Sequence, residues 1–172
     1  IRILNLFAYT GGATAACSAA GAHVTHVDAS KGMVNWAKEN CSLSGIPGDR
    51  FRFFVDDCKK LVEREIRRGN KYDGILMDPP SYGRGPDNEL FRFEDRINPL
   101  LNNCMQLLSD DPLFLIVNTY TTGYSPSVMY NLIKQYTDTL KLKGTIEADE
   151  IGIRIQDSSL CLPCGQTTRW YR

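Results

Sequence analysis

Five short apolar runs, "ILNLF", "HVTHV", "FRFFV", "GILM" and "LFLIV", recur along the chain, separated by segments whose apolar residues return at helical spacing. A strand, a helix and a second strand in one sheet connect as a right-handed crossover, which makes the strands parallel. The alternation therefore predicts a three-layer α/β fold, a mostly parallel sheet with helices on both faces. The 172 residues are enough for one such core, so a single domain over 1–172 is expected. Residues 145–155 and 159–172 have strand character with only a "QDSS" turn between them. They predict a terminal hairpin, and hence one antiparallel strand.

Local signals fill in the helices. "GGATAACSAAGA" reads as a short, tightly packed helix starting near Gly12. Ser30 is placed to cap "KGMVNWAKENCSLSG", with Met33, Trp36, Ala37 and Cys41 on its inner face. "CKKLVEREIRRG" turns Leu61, Val62 and Ile66 inward and stops at Gly69. Residues 83–94 hold Gly, Pro and Asn and read as a loop, followed by a helix over Asp95–Leu108 that is interrupted or started near Pro99. Ser125 and Pro126 open the next helix.

Composition removes several classes. With 42% hydrophobic and 23% charged residues, the chain is neither disordered nor fibrous. Its net charge of zero gives no global field for a polyanion, so a nucleic-acid substrate would need a local basic patch or another domain. "REIRRGNK" reads as a solvated helix end. The six cysteines are scattered, which fits a reduced, cytoplasmic setting. "CLPC" lacks the two further ligands that a structural zinc site needs, since His23 and His26 lie far upstream, and no metal is expected. No run of about 18 apolar residues predicts a membrane span, and no signal peptide pattern is present. The chain opens directly on an apolar strand without a methionine, which predicts a missing upstream segment that recognises substrate.

In an open α/β sheet, ligands bind beyond the carboxyl ends of the strands. Here the first four strands end in "FAYTGGA", Asp28, Asp56–Asp57 and Asp78. Turns and caps use Gly and Asp too, yet four such ends on one rim point to a ligand. Gly11 and Gly12 permit close backbone approach and open a helix whose N-terminus attracts a carboxylate or phosphate. Asp28 can accept both hydroxyls of a ribose. Asp57 opens a helix and can accept from an adenine amino group, while Asp56 could simply cap that helix. An adenosine with a charged tail fits this rim. A dinucleotide would require G-x-G-x-x-G after the first strand, and "GGATAACSAAGA" does not match it. S-adenosylmethionine has no phosphate and needs no such motif.

"ILNLFAYTGGATAACSAAGAHVTHVDASKGMVNWAKEN", then "VDD", then "YDGILMDPPSY" resembles the class I S-adenosylmethionine-dependent methyltransferases, and within them the branch acting on bacterial large-subunit (23S) ribosomal RNA. The resemblance covers about residues 1–125. It implies a Rossmann-like sheet of order 3-2-1-4-5-7-6 with strand 7 antiparallel, S-adenosylmethionine as cofactor and RNA as partner. It also implies that Phe7, Ala8, Tyr9, Thr10, Gly11 and Gly12 wrap the methionine part of the cofactor. Asp28 would hold the ribose, flanked by Ala29 and Ser30, and Asp57 with Cys58 would edge the adenine. Asp78 and Pro79 would line the point of methyl transfer. Asn5 stands where many members carry an acid; it still offers hydrogen bonds to the cofactor.

"DPPS" suits an in-line displacement, which asks mainly for alignment. Pro79 and Pro80 stiffen the strand end and offer no N–H. Asp78 and the Pro79 carbonyl remain as acceptors for a planar amino group, and Tyr82 is a candidate for stacking on a base. Methylation of cytosine carbon 5 needs a cysteine nucleophile. Neither "DPPSYG" nor "NTYTTG" contains one. A ring or exocyclic nitrogen of an RNA base is therefore the expected target. Protein or small-molecule methylation, a nicotinamide-dependent oxidoreductase and a non-catalytic cofactor-binding module stand as alternatives.

Overall fold

A computed structural model describes all residues, 1–172. Strands β1 (Arg2–Leu6), β2 (His23–Asp28), β3 (Phe51–Val55) and β4 (Gly74–Met77) alternate with helices α1 (Gly12–Ala19), α2 (Lys31–Leu43) and α3 (Cys58–Arg67). A short ribbon of β5 (Tyr82–Arg84) and β6 (Leu90–Arg92) precedes α4 (Phe93–Met105). Then come β7 (Phe114–Thr119), α5 (Pro126–Thr139), β8 (Thr145–Arg154) and β9 (Cys161–Tyr171). No helix is long and apolar enough to cross a membrane.

The main sheet has seven strands in the order β3-β2-β1-β4-β7-β9-β8. β3, β2, β1, β4 and β7 pair in parallel, and β9 runs antiparallel to both β7 and β8. This differs in detail from the expected 3-2-1-4-5-7-6. Two strands that the sequence concealed, β5 and β6, form a separate sheet and advance the numbering of everything after them. Residues 83–94 are thus not a loop. Gly85 N–H donates to Glu89 O at 2.8 Å and Asn88 takes a positive φ of 68°, which closes the turn between β5 and β6.

The pleat assigns alternate residues to opposite faces. Leu4, Leu6, Val27, Ile75, Met77, Leu115 and Val117 belong to the large core under α3, α4 and α5. Ile3, Ala22 and Val24 make a much smaller cluster on the side of α1 and α2. That smaller side carries polar groups in place of apolar bulk. Asn5 Nδ2 donates to Thr14 Oγ1 at 2.9 Å, and Thr14 Oγ1 lies 2.9 Å from His26 Nδ1, all three residues being buried.

Three further expectations are corrected. Trp36 is half exposed, and Val34 joins Ala37 and Cys41 as the buried set of α2, because the helix sits rotated on the sheet. α4 begins earlier, at Phe93, and runs through Pro99 without stopping. Ser125 precedes α5 in extended conformation, but its hydroxyl bonds Ser127 Oγ rather than the helix backbone.

Candidate active site

The rim is built first by the loop after β1. Phe7, Tyr9 and Gly11 all have positive φ, at 54°, 48° and 84°. A left-handed backbone costs a non-glycine residue about 1–2 kcal/mol, so the surroundings must enforce it. They do so through hydrogen bonds. Ala8 N–H donates to Val27 O at 3.0 Å, Gly11 N–H to Ala8 O at 3.0 Å, and Asn40 Nδ2 to Thr10 O at 2.8 Å. Gly11 is also steric: a Cβ there would lie 2.8 Å from Ala37 Cβ. Gly12 differs, because a Cβ at that position would meet nothing within 4 Å.

Asp28, at the end of β2, ties two loops together. Its Oδ2 accepts from Tyr9 N–H at 2.8 Å and its Oδ1 from Ser30 N–H at 2.9 Å. Ser30 Oγ in turn accepts from Met33 N–H at 3.4 Å, capping α2. Past β3, Asp57 caps α3 by accepting from Lys60 N–H at 2.9 Å. Asp56 does not cap this helix; it pairs with Arg64. Cys58 follows as a buried thiol whose pKa burial pushes well up.

Beyond β4, the Asp78 side chain is exposed at the cavity mouth, and partial desolvation by the surrounding walls raises its carboxyl above the usual range. Tyr120, just past β7, shares that cavity; burial, with a smaller push from the Asp78 charge, raises its phenol. Ser81 links the two strand ends. Its hydroxyl accepts from Thr121 Oγ1 at 2.9 Å, and its carbonyl accepts from Phe93 N–H at 3.1 Å.

Two adjoining cavities result. The larger, about 520 Å³, brings together Phe7, Tyr9, Asp28, Ala29, Ser30, Asp57, Cys58, Asp78 and Pro80. The smaller, about 280 Å³, collects Asn5, Ala8, Thr10, Gly11 and Gly12, and shares Phe7, Tyr9 and Asp78 with the first. Pro79 and Tyr82 line neither. Pro79 is buried behind the strand end, and Tyr82 is exposed on the outer side of the β5–β6 ribbon. Asn5 is buried at the floor of the smaller cavity with one of its two amide N–H groups already given to Thr14.

The remaining lining residues were not foreseen. Gly83, Arg84, Gly85 and Phe91 come from the ribbon, and Tyr120 from the end of β7. Phe91 packs edge-on against Phe7, with ring centroids 5.1 Å apart, so the ribbon forms one wall of the cavity. Its tip is tied down where Lys60 pairs with Asp87 and Glu89. The available signal was "YGRGPDNELFR", in which two short alternating stretches flank Gly, Pro and Asn. Charge in the larger cavity consists of three carboxylates, Asp28, Asp57 and Asp78, against one guanidinium, Arg84. That balance suits a ligand with cationic character better than a pyrophosphate.

Comparison with known proteins agrees with this geometry. The family model for S-adenosylmethionine-dependent methyltransferases matches residues 1–125. The ribosomal RNA large subunit methyltransferase K/L of Shewanella frigidimarina is 41% identical over 82 residues, which is 47% of this chain and 11% of that protein. The crystal structure of a SAM-dependent methyltransferase from Agrobacterium tumefaciens is 36% identical with a TM-score of 0.93, covering 99% of this chain and 56% of that one. A magnesium protoporphyrin IX methyltransferase from Synechocystis, crystallised with bound SAM, shares the fold at 14% identity and a TM-score of 0.65, covering 99% of this chain and 69% of that one. The chain thus spans a small part of the Shewanella relative and about half of the Agrobacterium one.

Proposed function

Since the chain belongs to the S-adenosylmethionine-dependent methyltransferase family, we propose that it methylates a base nitrogen of RNA, ribosomal RNA above all, in the cytoplasm. The observation that carries the choice of nitrogen is the company Asp78 keeps. The cavity around its carboxylate contains Tyr120 and Pro80, and its one thiol, Cys58, is buried with its pKa held high. A thiol in that state is a poor nucleophile, which argues against chemistry at a pyrimidine carbon.

The residues present fit the cofactor. The smaller cavity, open above Gly12, would take the amino-acid part, with the backbone of Phe7 to Gly12 around it. Asp28 has lone pairs left after its two backbone bonds, and these would receive the ribose hydroxyls. Ala29 and Ser30 flank that position, and Asp57 and Cys58 would edge the adenine beside the Phe7–Phe91 pair. When bound, S-adenosylmethionine supplies an electrophilic methyl group.

What remains for the protein is alignment and proton handling. The Asp78 carboxylate accepts an N–H of the target amino group and so fixes the direction of its lone pair. With a raised pKa, the same carboxylate is also suited to holding the proton that the nitrogen gives up. Pro80 presents no N–H to compete for that carboxylate. Tyr120 faces the same space and would define the far side of the base. The relatives are much longer than this chain, which supports a division of labour in which other segments contribute to substrate selection.

The test is to incubate the protein, labelled S-adenosylmethionine and RNA from a strain lacking the gene, then to identify the labelled nucleoside by mass spectrometry. A methyl group on a base nitrogen is expected, absent with Asp78→Asn. Label on cytosine carbon 5, or only in protein, would overturn the proposal.

A further inference from the structure

The β5–β6 ribbon has two faces of different character. Gly83 and Phe91 turn inward, where Phe91 meets Phe7 and walls the cavity. Tyr82, Arg84, Leu90 and Arg92 turn outward and are exposed, as the alternation along both strands requires. The register places Tyr82 opposite Arg92 and Arg84 opposite Leu90, so these four make one continuous patch. It adjoins the cavity directly, because Arg84 is also among the residues that line it.

The charges are sorted in the same way. Neither Arg84 nor Arg92 forms an ion pair; Arg84 bonds only the neutral Asn88 side chain, at 2.7 Å. The acids of the ribbon tip, Asp87 and Glu89, are both engaged by Lys60 rather than by either arginine. Two unpaired guanidinium groups thus flank an exposed tyrosine ring on a chain of zero net charge. Aromatic rings interleaved with free arginines match single-stranded nucleic acid, whose bases stack while its phosphates pair.

The geometry points to the outer face of the β5–β6 ribbon as the surface that holds the RNA strand next to the target nucleotide. Tyr82 stacks on a neighbouring base, Arg92 pairs with a phosphate, and Arg84 spans from that strand to the cavity mouth. This rests on the RNA reading above. It assigns Tyr82 a part outside the cavity, where no base being methylated could reach it.

Fluorescence anisotropy with a labelled 12-nucleotide single-stranded RNA, at several salt concentrations, tests the surface. Tyr82→Ala is expected to weaken binding about 5- to 100-fold and Tyr82→Phe to restore it. Arg92→Gln is expected to lower affinity and to reduce the magnitude of the salt slope by about 0.7. S-adenosylhomocysteine affinity, measured by calorimetry, should not change in Tyr82→Ala or Arg92→Gln. If the unaltered protein binds the RNA and the Tyr82→Ala, Arg92→Gln double variant binds it equally well, the ribbon surface is wrong and the RNA reading stands. If S-adenosylhomocysteine affinity falls in parallel, the effect acts through the cavity and the ribbon surface is again wrong. If the unaltered protein ignores RNA and methylates a protein instead, both fall together.

Discussion

Tyr9 and Asp28 are joined by a hydrogen bond of 2.8 Å from a backbone N–H to a carboxylate oxygen. The other oxygen of Asp28 takes the Ser30 N–H, so one side chain sets both the strained loop after β1 and the start of α2. Its removal should therefore damage the site twice, by freeing the loop and by deleting the proposed ribose acceptor. Hydrogen bonds to a charged group contribute about 1.5–3 kcal/mol. Asp28→Ala should weaken S-adenosylhomocysteine binding by about 10- to 100-fold in calorimetric titration. Asp28→Asn should do nearly as much harm, because its amide N–H₂ turns a donor toward one of two backbone donors.

The two glycines of the same loop should respond oppositely to alanine. Gly11 has φ of 84°, and its added Cβ would lie 2.8 Å from Ala37 Cβ. Gly11→Ala should lower stability by about 1–3 kcal/mol, read as a fall in Tm. Gly12 opens α1 with nothing near its missing Cβ, so Gly12→Ala should leave Tm unchanged or slightly higher. Its methyl group would instead occupy the space offered to the cofactor. Calorimetry should find weaker S-adenosylhomocysteine binding in a protein as stable as before.

The parallel sheet was legible because its central strands expose little on either face and read as apolar runs, as "GILM" and "LFLIV" do. The acids at the strand ends were legible for a related reason: a charge at the end of a buried run has to emerge at the rim. The ribbon escaped detection because its strands have three residues each, too short for their alternation to stand out. Tyr120 escaped because its position depends on β7 lying beside β4, a long-range pairing that no local pattern encodes. The rotation of α2 that exposes Trp36 is likewise a packing outcome, set by Val34, Ala37 and Cys41 filling the available space.

His26 makes the fold sensitive to mild acid. It is fully buried, and burial lowers its pKa from the usual 6.5 to about 4, with the Asp28 charge opposing weakly. Between those values the unfolded chain binds the proton more tightly than the native one. The contribution of neutral His26 is thus present above pH 6.5 and is lost as pH falls toward 4, by about 1.4 kcal/mol per unit. Tm recorded from pH 7.5 to 4.5 should fall through this window. In His26→Gln, which cannot be protonated, the slope should be shallower by that amount.

Asp78 should show the reverse sign. Its native pKa is raised by burial, so the folded protein holds this proton more tightly than the unfolded chain does. Its charged form therefore destabilises the fold at every pH above the raised value. The penalty is relieved as pH falls through that value toward the ordinary 3.8. Replacement by a neutral isostere removes the penalty where the carboxylate would be ionised. Asp78→Asn should accordingly have a higher Tm than the unaltered protein at pH 7.5, with the difference vanishing in acid. The same change removes the acceptor proposed for the target nitrogen and for its proton. Methyl transfer should fall by at least about 100-fold, with cofactor affinity largely kept. A variant that binds S-adenosylhomocysteine, melts higher and yet transfers no methyl group would separate the cost of this partly desolvated acid from its use. If Asp78→Asn melted lower and kept its activity, Asp78 would be a packing residue, and the transfer point would have to be sought elsewhere on the rim.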